Sequence, residues 1–585
     1  MTLPVDFLYL GGCAVRLHRA SGPRAIVICP ALGVEGLVLH RIVHDLAQSL
    51  QRDGHPVLAI DYPGTGDSRD TEASADQVPL WVDGVVRAVQ FLRHQPGVRD
   101  VVLVGFDLGA LLAVLAAART AVAGVALVGP PGSGRAFVRA LVARQAVNGA
   151  PDEASRVTGT RGDLEINGFV YSAATLSSLE TITVKDLPRA PAPDVLVLGR
   201  GGWAPEERLC RELQSLGANA RLETLAGYAD MRWHSTFSVL APEAFVGLRR
   251  WLAALPPSAN EAPSAHDEPA DTLAGLGWEE SPRTFGHGCL LRGVLCTPAQ
   301  RTPDVCVLII NHGANRRIGW GGMYVPLARQ LAVLGIASFR VDLAGLGDSD
   351  RRPNQADRAL YDTDYFEDVE TALQYLHEQG FGRLALLGHC SGAYHAFHAA
   401  SRNPRVIALA LVNLALFHWI PGTSLDESER KSAKRLGWYV AEAVNPATWR
   451  RLVSGRINVG HIASAFARRA GRLIRVRASA ALPASTGTAI SVVDTFRGFS
   501  ARGTRVLVVY SDNDGGLDEF SLHCGRGGRR VLRLPGVSLA LLPGADHNVS
   551  AQSARALYFI YLQQFLAEAA GLPLSVRPAS PSQSV

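Results

Sequence analysis

Lysine is almost missing from this chain of 585 residues, which contains only Lys185, Lys431 and Lys434. The other 55 of its 58 basic residues are arginines, while the net charge is only +5 and 47% of the residues are hydrophobic. Arginine in place of lysine, in a globular composition with so small a charge excess, indicates codon bias rather than a nucleic-acid-binding surface. We therefore expect no nucleic-acid partner.

Three other patterns are absent. None of the eight cysteines forms a CxxC pair, which excludes a zinc ribbon and a thioredoxin-type motif. The longest apolar run, 101–118, is interrupted by Asp107 and two glycines, so no transmembrane segment is expected. The opening residues MTLPVDFLYLGG lack the basic and apolar regions of a signal peptide. These absences predict a cytoplasmic protein.

The sequence contains the same pattern twice, on either side of a segment rich in proline, alanine and serine. The first copy has RAIVICPALG, HPVLAIDYPGTGDS and RDVVLVGFDLGALLAVLAA; the second has VCVLIINHGAN, IASFRVDLAGLGDS and GRLALLGHCSGAYHAFHAA. Asp61 and Asp107 are 46 residues apart, and their counterparts Asp342 and Cys390 are 48 apart. Short apolar strands that alternate with helical segments predict two α/β domains with mostly parallel, doubly wound sheets.

The predicted boundaries follow from this repeat. We expect a first domain over 1–253, a linker over 254–275 and a second domain over 276–572 with a lid at about 415–500. A disordered tail is expected over 573–585. Below, residues 1–253 are called the first repeat and residues 276–572 the second repeat.

A nucleophile elbow is predicted in the second repeat. There, the apolar strand LALL leads into Gly388-His389-Cys390-Ser391-Gly392 and then into a helix rich in small residues. The two glycines permit the strained turn that presents the central side chain at a helix N-terminus. The partial positive charge of that terminus favours a thiolate, so Cys390 is the predicted nucleophile.

A thiol nucleophile also needs a base and an acid that orients it, and these follow in chain order acid, then histidine. Asp514 follows the strand RVLVVY and is the predicted acid, with Asp512 as the alternative. His547 follows the next strand, 33 residues after Asp514, and is the predicted base.

The oxyanion donors are expected from two places. One is the backbone N–H of Ser391, and the other is the N–H of Gly313 or Ala314 in the loop after the first strand of the second repeat. Three histidines near the elbow suggest a metal site, but no second ligand cluster has suitable spacing. We therefore interpret them as packing residues and expect neither metal nor cofactor; they are His389, His395 and His398.

The first repeat departs from a triad at all three positions. Asp107 stands at the elbow, Gly202 at the acid position and Asp230 at the histidine position. An aspartate nucleophile still needs a histidine to activate water, and His234 lies four residues beyond the expected place. The first repeat is thus predicted to be degenerate and kept for packing, partner binding or substrate presentation.

These elbows, the two D-x-x-G-x-G-D-S segments and the late Asp and His resemble the α/β-hydrolase superfamily over most of both repeats. The resemblance implies a fold of two tandem α/β-hydrolase domains, each with helices on both sheet faces and a lid insertion. The first repeat resembles exosortase A system-associated hydrolases of type 2, and the second those of type 1. That likeness implies a bacterial role in surface glycan biosynthesis. The cysteine elbow also resembles dienelactone hydrolase.

Arginines are concentrated in the region of the predicted lid. The segment 446–482 carries eight arginines and no acidic residue, and Arg468 and Arg472 fall on one helical face. Arg316 and Arg317 add positive charge in the oxyanion loop. Guanidinium groups suit carboxylates and phosphates, so these four residues are candidates for binding an anionic substrate. The alternative is a solvated basic helix face in an arginine-rich chain.

The sequence therefore predicts a hydrolase of ester or thioester bonds that acts on a small-molecule or carrier-bound acyl substrate. An acyltransferase would use the same triad and differ only in the acceptor. The contrasting class is a non-catalytic binding protein in which both repeats are scaffolds. The oligomeric state does not follow from the sequence.

Overall fold

A computed structural model of the protein describes residues 4–148, 162–231, 243–257, 267–300, 303–353, 355, 360–361, 364–419 and 491–572. The chain forms two compact units. Unit 1 comprises residues 1–303 and 314–358, and unit 2 comprises residues 304–313 and 359–585. Unit 1 therefore contains the first repeat and part of the second. The repeat-based domain limits stay a prediction, and most of the lid and the whole tail lie outside the described residues.

In the part of the chain described above, unit 1 contains strands and helices of both repeats. Its strands are β1 Val5–Leu10, β2 Cys13–His18, β3 Arg24–Cys29, β4 Val57–Ile60, β5 Asp100–Phe106, β6 Gly124–Val128, β7 Leu164–Ile166, β8 Phe169–Tyr171, β9 Asp194–Gly199, β10 Asn219–Thr224, β11 Pro269–Ala270, β12 Leu273–Gly275, β13 Trp278–Phe285, β14 Leu291–Pro298 and β16 Ala337–Asp342. Its helices are α1 Gly33–Arg52, α2 Gln77–Arg93, α3 Leu108–Arg119, α4 Gly134–Asn148, α5 Ala173–Thr181, α6 Ala204–Ser215, α7 Tyr228–Met231, α8 Val246–Ala254 and α9 Tyr324–Val333.

The strands of the first repeat, together with β11 from the predicted linker, form a nine-stranded sheet in unit 1, in the order β10-β9-β6-β5-β3-β4-β2-β1-β11. The neighbours from β10 to β4 are parallel, and β2, β1 and β11 continue the sheet in antiparallel pairs. The short strands β7 and β8 pair separately as an antiparallel hairpin. The predicted mostly parallel sheet is confirmed.

The strands of this sheet are apolar on both faces, as expected for a sheet covered by helices on each side. Alternate residues of β3 point in opposite directions: Val27 packs with residues of α2 and α3, whereas Ile26 and Ile28 pack with residues of α1 and α8. The first repeat thus buries two hydrophobic layers, one on each face of its sheet.

Part of the second repeat also lies in unit 1. Strands β12, β13, β14 and β16 pair in that order, and each pair is antiparallel. The β13-β14-β16 run reproduces the β1-β2-β4 run of the first repeat, which is also antiparallel throughout.

Unit 2 contains the remaining strands of the second repeat as a parallel sheet in the order β15-β17-β18-β19-β20. This order matches β3-β5-β6-β9-β10 of the first repeat. The strands are β15 Val305–Ile309, β17 Arg383–His389, β18 Val406–Val412, β19 Arg505–Ser511 and β20 Val537–Leu542. The helices of unit 2 are α10 Asp364–Glu378, α11 Ser391–Arg402, α12 Val492–Ala501, α13 Gly516–Cys524 and α14 Gln552–Ala570.

The carboxyl ends of parallel strands lie at one edge of a sheet, and this edge is where α/β proteins place their functional groups. In unit 2, Cys390 follows β17, Asp514 follows β19 and His547 follows β20. The topology alone therefore brings the three predicted triad residues to the same edge. Within the described residues, no helix is long and apolar enough to cross a membrane.

Candidate active site

Cys390 occupies a strained turn between β17 and α11. Its backbone has φ 55° and ψ −117°, a conformation that non-glycine residues rarely adopt. The turn is held by the Cys390 N–H, which donates to the Val412 carbonyl at 2.9 Å. This geometry is that of the predicted elbow, and it leaves the Cys390 side chain partly exposed at the start of α11.

The two flanking glycines are needed because the backbone passes too close for a side chain. A Cβ added to Gly388 would lie 2.2 Å from the Gly392 carbonyl oxygen. A Cβ added to Gly392 would lie 2.3 Å from the Asn311 carbonyl oxygen. Both distances are far below van der Waals contact, so the spacing of the motif follows directly from the close packing of β17, α11 and the loop after β15.

His547 and Asp514 form a close pair beside this turn. The His547 Nδ1 lies 2.5 Å from Asp514 Oδ2, and the Asp514 side chain is almost completely buried. Cys390 is close enough to His547 to raise the pKa of the imidazole. The three predicted residues therefore lie together, with the imidazole in contact with the buried carboxylate.

The charge on His547 is set by competing effects. Burial lowers its pKa, but the charges of Asp514 and Cys390 and the hydrogen bonds to both side chains raise it. The net result is a His547 pKa well above its ordinary value. An imidazolium at neutral pH is the partner that a catalytic thiolate requires.

The alternative acid has a different contact. Asp512 Oδ2 accepts a hydrogen bond from the Gly544 N–H at 3.2 Å, within the loop that leads to His547. Asp514, by contrast, contacts the imidazole itself. The geometry favours Asp514 as the orienting acid and gives Asp512 a role in shaping the loop.

Two of the three predicted oxyanion residues, Ser391 and Gly313, contact each other in unit 2. Ser391 is the first residue of α11, and its hydroxyl accepts a hydrogen bond from the Gly313 N–H at 3.2 Å. Gly313 has φ +57° and no atom within 4 Å of an added Cβ. Ala314 belongs to unit 1, and its part in an oxyanion hole stays a prediction.

Two buried polar residues bind the backbone of the loop that carries His547. Neither role was predicted from the sequence. The His389 Nε2 donates to the His547 carbonyl at 2.6 Å, and the Asn413 side-chain amide donates to the same oxygen at 2.7 Å. Asn413 Oδ1 also accepts from the Ser511 N–H at 2.8 Å, so it links the ends of three strands. The available signal was a polar residue directly after the buried strand VIALALV.

The protonation state of His389 supports this role. Burial and the nearby charge of His547 lower its pKa to about 3, despite the hydrogen bond to the His547 backbone. A neutral imidazole with its proton on Nε2 is therefore the donor to the His547 carbonyl. His395 and His398 likewise donate to backbone carbonyls, of Leu360 and Phe417, at 2.7 and 2.9 Å.

A tyrosine also reaches the nucleophile. The Tyr361 hydroxyl lies 3.9 Å from Cys390 Sγ, and its ring stacks on Trp419 with a centroid distance of 4.9 Å. Tyr361 is itself 5% exposed, so the hydroxyl is presented by a fixed ring. Nothing in the sequence around Tyr361 marks it as a site residue, because only the fold brings it to the elbow.

Three histidines near the triad offer potential metal ligands. In the part of the chain that the structure describes, His312, His389 and His547 have ring nitrogens within 4.8 Å of one another. The His312 and His389 rings, however, stack at 3.8 Å with an interplanar angle of 12°. Lone pairs in stacked, nearly parallel rings do not converge on one point, so the arrangement suits packing better than tetrahedral coordination. The absence of a metal remains a prediction.

The structure describes two of the four arginines that were predicted to bind an anionic substrate. Arg316 and Arg317 are buried in unit 1 with 6% and 3% exposure, and their guanidinium groups pair with aspartates. The prediction that these two residues meet the substrate is therefore not supported, because burial and internal ion pairs already occupy their donors. Arg468 and Arg472 lie outside the described residues.

The first repeat has an elbow with the same backbone conformation and a different central residue. Asp107 has φ 49° and ψ −120°, almost the values of Cys390. Gly202 has no neighbour within 4 Å of an added Cβ, and Asp230 is exposed in α7. His234 lies outside the described residues. None of these described positions supplies an imidazole, and the degeneracy of the first repeat stays a prediction.

Aromatic side chains pack where the first repeat lacks a triad. The Arg200 guanidinium lies 3.5 Å from the Trp203 ring centroid and 5.1 Å from that of Tyr228. A Cβ added to Gly129, just after β6, would lie 2.4 Å from the Tyr228 ring. The first repeat also contains a cavity of about 300 Å³, lined by residues that include Gly33 and Tyr171.

Comparisons with known proteins agree with this fold. Residues 24–166 match a family model described as alpha/beta hydrolase fold, and residues 302–458 match one described as serine aminopeptidase, S33. The protein is thus a member of the α/β-hydrolase superfamily. More particularly, it is a tandem of two such domains, with one match in each repeat. No curated protein matches the chain.

Solved structures with a similar fold cover about half of this chain. A proline iminopeptidase from Mycobacterium smegmatis is 19% identical, with 50% of this chain and 99% of that one covered and a TM-score of 0.32. Est1E from Butyrivibrio proteoclasticus, with ferulic acid bound, is 15% identical over 48% and 96% of the two chains, with a TM-score of 0.30. Similarity at this level carries no information about substrate.

Proposed function

We propose that the second repeat is a hydrolase of ester or thioester bonds. In this proposal Cys390 is the nucleophile, His547 the acid and base, and Asp514 the residue that orients the imidazole. The observation that carries it is the contact of the His547 imidazole with the buried Asp514 carboxylate, together with a cysteine at an elbow with φ 55° that raises the His547 pKa. A structural cysteine has no need for this strained turn or for a paired imidazole.

The reaction begins when the Cys390 thiolate attacks an acyl carbonyl carbon. The new C–S bond moves an electron pair to the carbonyl oxygen, and in this proposal the Ser391 N–H stabilises the resulting negative charge. When the intermediate collapses, the leaving alkoxide or thiolate takes a proton from the His547 imidazolium. The product of this half-reaction is a thioester on Cys390.

Water completes the cycle. Neutral His547 removes a proton from water as it attacks the thioester carbonyl, and the Cys390 thiolate is released with the free acid. Asp514 holds the imidazole with one nitrogen toward Cys390 throughout, because its buried carboxylate accepts from Nδ1. If an alcohol or a thiol took the place of water, the same groups would catalyse acyl transfer.

The substrate is proposed only by class. A thiolate favours activated acyl groups, such as esters, lactones and thioesters. The resemblance to exosortase-associated hydrolases implies an anionic glycan or a carrier-bound acyl group as the substrate. Of the four arginines predicted to bind it, Arg468 and Arg472 are the two that remain candidates. The buried ion pairs of Arg316 and Arg317 do not favour it.

The test is to mix the protein with p-nitrophenyl butyrate or a butyryl thioester and to follow both product release and intact mass. We expect one acyl adduct, mapped to Cys390 by peptide mass spectrometry, and its loss in Cys390→Ala. An adduct that persists in Cys390→Ala would overturn the assignment of the nucleophile. Stable acylation with turnover only when an alcohol or thiol is added would indicate acyl transfer.

A non-catalytic protein predicts a different result. In that case Cys390 would react with iodoacetamide at pH 6–7 no faster than the exposed thiol of Cys289. The proposed ion pair with His547 requires Cys390 to react faster. Cys289 therefore serves as an internal reference in the same sample.

A further inference from the structure

Unit 1 contains a buried cluster of ten charged side chains that includes none of the predicted triad residues. All ten are at most 6% exposed. Five are carboxylates and five are guanidinium groups, so their formal charges cancel. The cluster, called here the ion-pair cluster, consists of Asp61, Asp67, Glu280, Asp342, Asp348, Arg16, Arg316, Arg317, Arg329 and Arg340.

The ion-pair cluster joins the first repeat to the second through two adjacent arginines. Arg316 donates to both oxygens of Asp61, at 3.0 and 2.7 Å, and to Asp67 Oδ2 at 2.9 Å. Arg317 donates to the same Asp67 oxygen at 2.7 Å. Asp61 and Asp67 are in the first repeat, whereas both arginines are in the second.

The second repeat supplies the equivalent carboxylates on the other side. Arg317 Nη1 donates to Asp342 and to Asp348 at 2.7 Å each, and the Arg317 backbone N–H donates to Asp342 at 2.6 Å. Asp342 and Asp348 hold the same places in their D-x-x-G-x-G-D-S segment as Asp61 and Asp67 do in theirs. One guanidinium group thus binds corresponding residues of both repeats.

The two segments also have the same internal hydrogen bonds. The Asp67 N–H donates to Asp61 and the Asp348 N–H to Asp342, each at 3.0 Å. The first repeat therefore retains the full loop geometry although its own elbow lacks a triad. A role in binding Arg316 and Arg317 accounts for that retention without any chemistry in the first repeat.

The two arginines lie close in sequence to the predicted oxyanion donors, so the ion-pair cluster restrains the segment that carries those donors. Arg316 is two residues after Ala314 and three after Gly313, the predicted oxyanion donors. Its side chain is held by Asp61 and Asp67, and the backbone of Arg317 by Asp342. A backbone fixed so close to Ala314 has little freedom to move the amide groups before it.

We infer that the first repeat acts as a positioning element for the second, with Asp61 and Asp67 fixing Arg316 and Arg317 and thereby the loop that carries the oxyanion donors. The inference rests on the proposed function in that it assigns the loop 313–317 to the oxyanion hole. Asp61 and Asp67 are positioning residues and do not touch substrate.

The test is a charge-balanced variant of the full chain. Asp61→Asn combined with Arg316→Met removes one buried charge of each sign, which avoids an uncompensated charge in the interior. The matched control is Asp100→Asn with Arg24→Met, since that pair is also bidentate, at 2.7 and 3.0 Å, but lies entirely in the first repeat. Circular dichroism and urea unfolding establish that both variants are folded.

We expect kcat for p-nitrophenyl butyrate to fall by about tenfold or more in the test variant, because losing a single oxyanion donor costs about 10²–10³-fold. KM and the rate of Cys390 alkylation by iodoacetamide should change by less than about twofold, since the triad is untouched. The control variant should retain wild-type kcat. Equal loss of kcat in both variants, or a parallel loss of alkylation, would contradict the positioning role.

A second measurement is independent of catalysis. Hydrogen exchange of the peptide that spans 311–320 should be faster in the test variant than in the wild type and the control. If the wild type shows no turnover, the proposed function fails, but this comparison still tests the inference. Unchanged exchange at 311–320 in a folded test variant would overturn it.

Discussion

The two elbows of this protein have the same backbone and different chemistry. Cys390 and Asp107 differ by only 6° in φ and 3° in ψ, and each donates its N–H to the carbonyl of the last residue of the next strand, Val412 or Val128. Around Cys390 the fold places an imidazole and a carboxylate. Around Asp107 the corresponding positions hold Gly202 and Asp230.

This difference shows that the elbow is a feature of the fold before it is a feature of catalysis. In both repeats, the glycines of the motif are required by close backbone contacts: added Cβ atoms at Gly105 and Gly109 would lie 2.5 and 2.3 Å from other backbone atoms. Such packing persists when the triad is lost, because a larger residue would disrupt the strand-helix contact. The elbow pattern therefore identifies the fold, and only the companion residues indicate catalysis.

The largest expected effect separates the two elbows directly. Cys390→Ala should lower kcat/KM for p-nitrophenyl butyrate by at least about 10³-fold, because the nucleophile is removed. Asp107→Asn, which keeps the shape of the other elbow side chain, should change it by less than about twofold. Steady-state kinetics on both variants provides the comparison, and a large loss in Asp107→Asn would show that the first repeat contributes to the chemistry.

The next effect separates the two candidate acids. Asp514→Asn should lower kcat by about 10²–10⁴-fold, since the amide no longer holds the imidazole in the required orientation. Asp512→Asn keeps an oxygen that accepts from the Gly544 N–H and should have a much smaller effect. Similar kcat values for the two variants would mean that the 2.5 Å contact between His547 Nδ1 and Asp514 Oδ2 does not identify the acid.

A smaller effect is expected when the second elbow is made like the first. Phe106 stands in the first repeat where His389 stands in the second, and His389→Phe removes the donor to the His547 carbonyl. We expect kcat to fall about tenfold with little change in KM, because the base is misplaced rather than lost. His389→Gln offers an amide donor and should recover part of the loss; no difference between the two variants would argue against the hydrogen bond.

The smallest effects concern stability, and their pH dependence has opposite signs in the two repeats. Burial raises the pKa of Asp67, but the charges of Arg317, Arg316 and Arg340 outweigh it and lower that pKa to about 2. The stabilisation from Asp67 is thus complete above about pH 4 and is lost as the pH falls toward 2, on the order of 2 kcal/mol. Urea unfolding of the wild type between pH 5 and pH 2.5 measures this loss.

His547 provides the opposite case. Its raised pKa means that its ion pair stabilises the fold fully below about pH 6.5 and ceases to do so as the pH rises through the raised value. The difference in urea midpoint between wild type and His547→Gln should therefore be largest near pH 6 and shrink at alkaline pH. A difference that grows with pH would mean that His547 is neutral in the folded protein.

Much of the fold and of the candidate site could be predicted from local patterns. Short apolar runs bounded by glycine indicated buried parallel strands, and G-x-C-x-G after such a run indicated the elbow. Asp514 and His547 were predicted because each follows a strand in the expected chain order. Asn413 and Tyr361 were not predicted as site residues. Their contacts with His547 and Cys390 join residues that are far apart in the sequence, so no spacing motif reveals them.

The arginine-rich composition was the least informative feature. Proximity in sequence placed Arg316 and Arg317 near the mouth of the predicted site, whereas the tertiary structure places their guanidinium groups among Asp61, Asp67, Asp342 and Asp348. A charge count cannot distinguish a buried, neutralised guanidinium from an exposed one. For Arg316 that distinction depends on partners 249 and 255 residues away in the sequence.

By itself, then, the sequence determined the tandem repeat, the elbow and the places of Cys390, Asp514 and His547 after successive strands, because each depends on short segments with strong backbone requirements. The tertiary structure decided which aspartate contacts the imidazole, which buried groups hold the His547 loop, and where the arginines lie. Those outcomes depend on side chains from distant segments that meet only after the sheets have formed, and on burial, which determines whether a charge faces solvent or an internal partner.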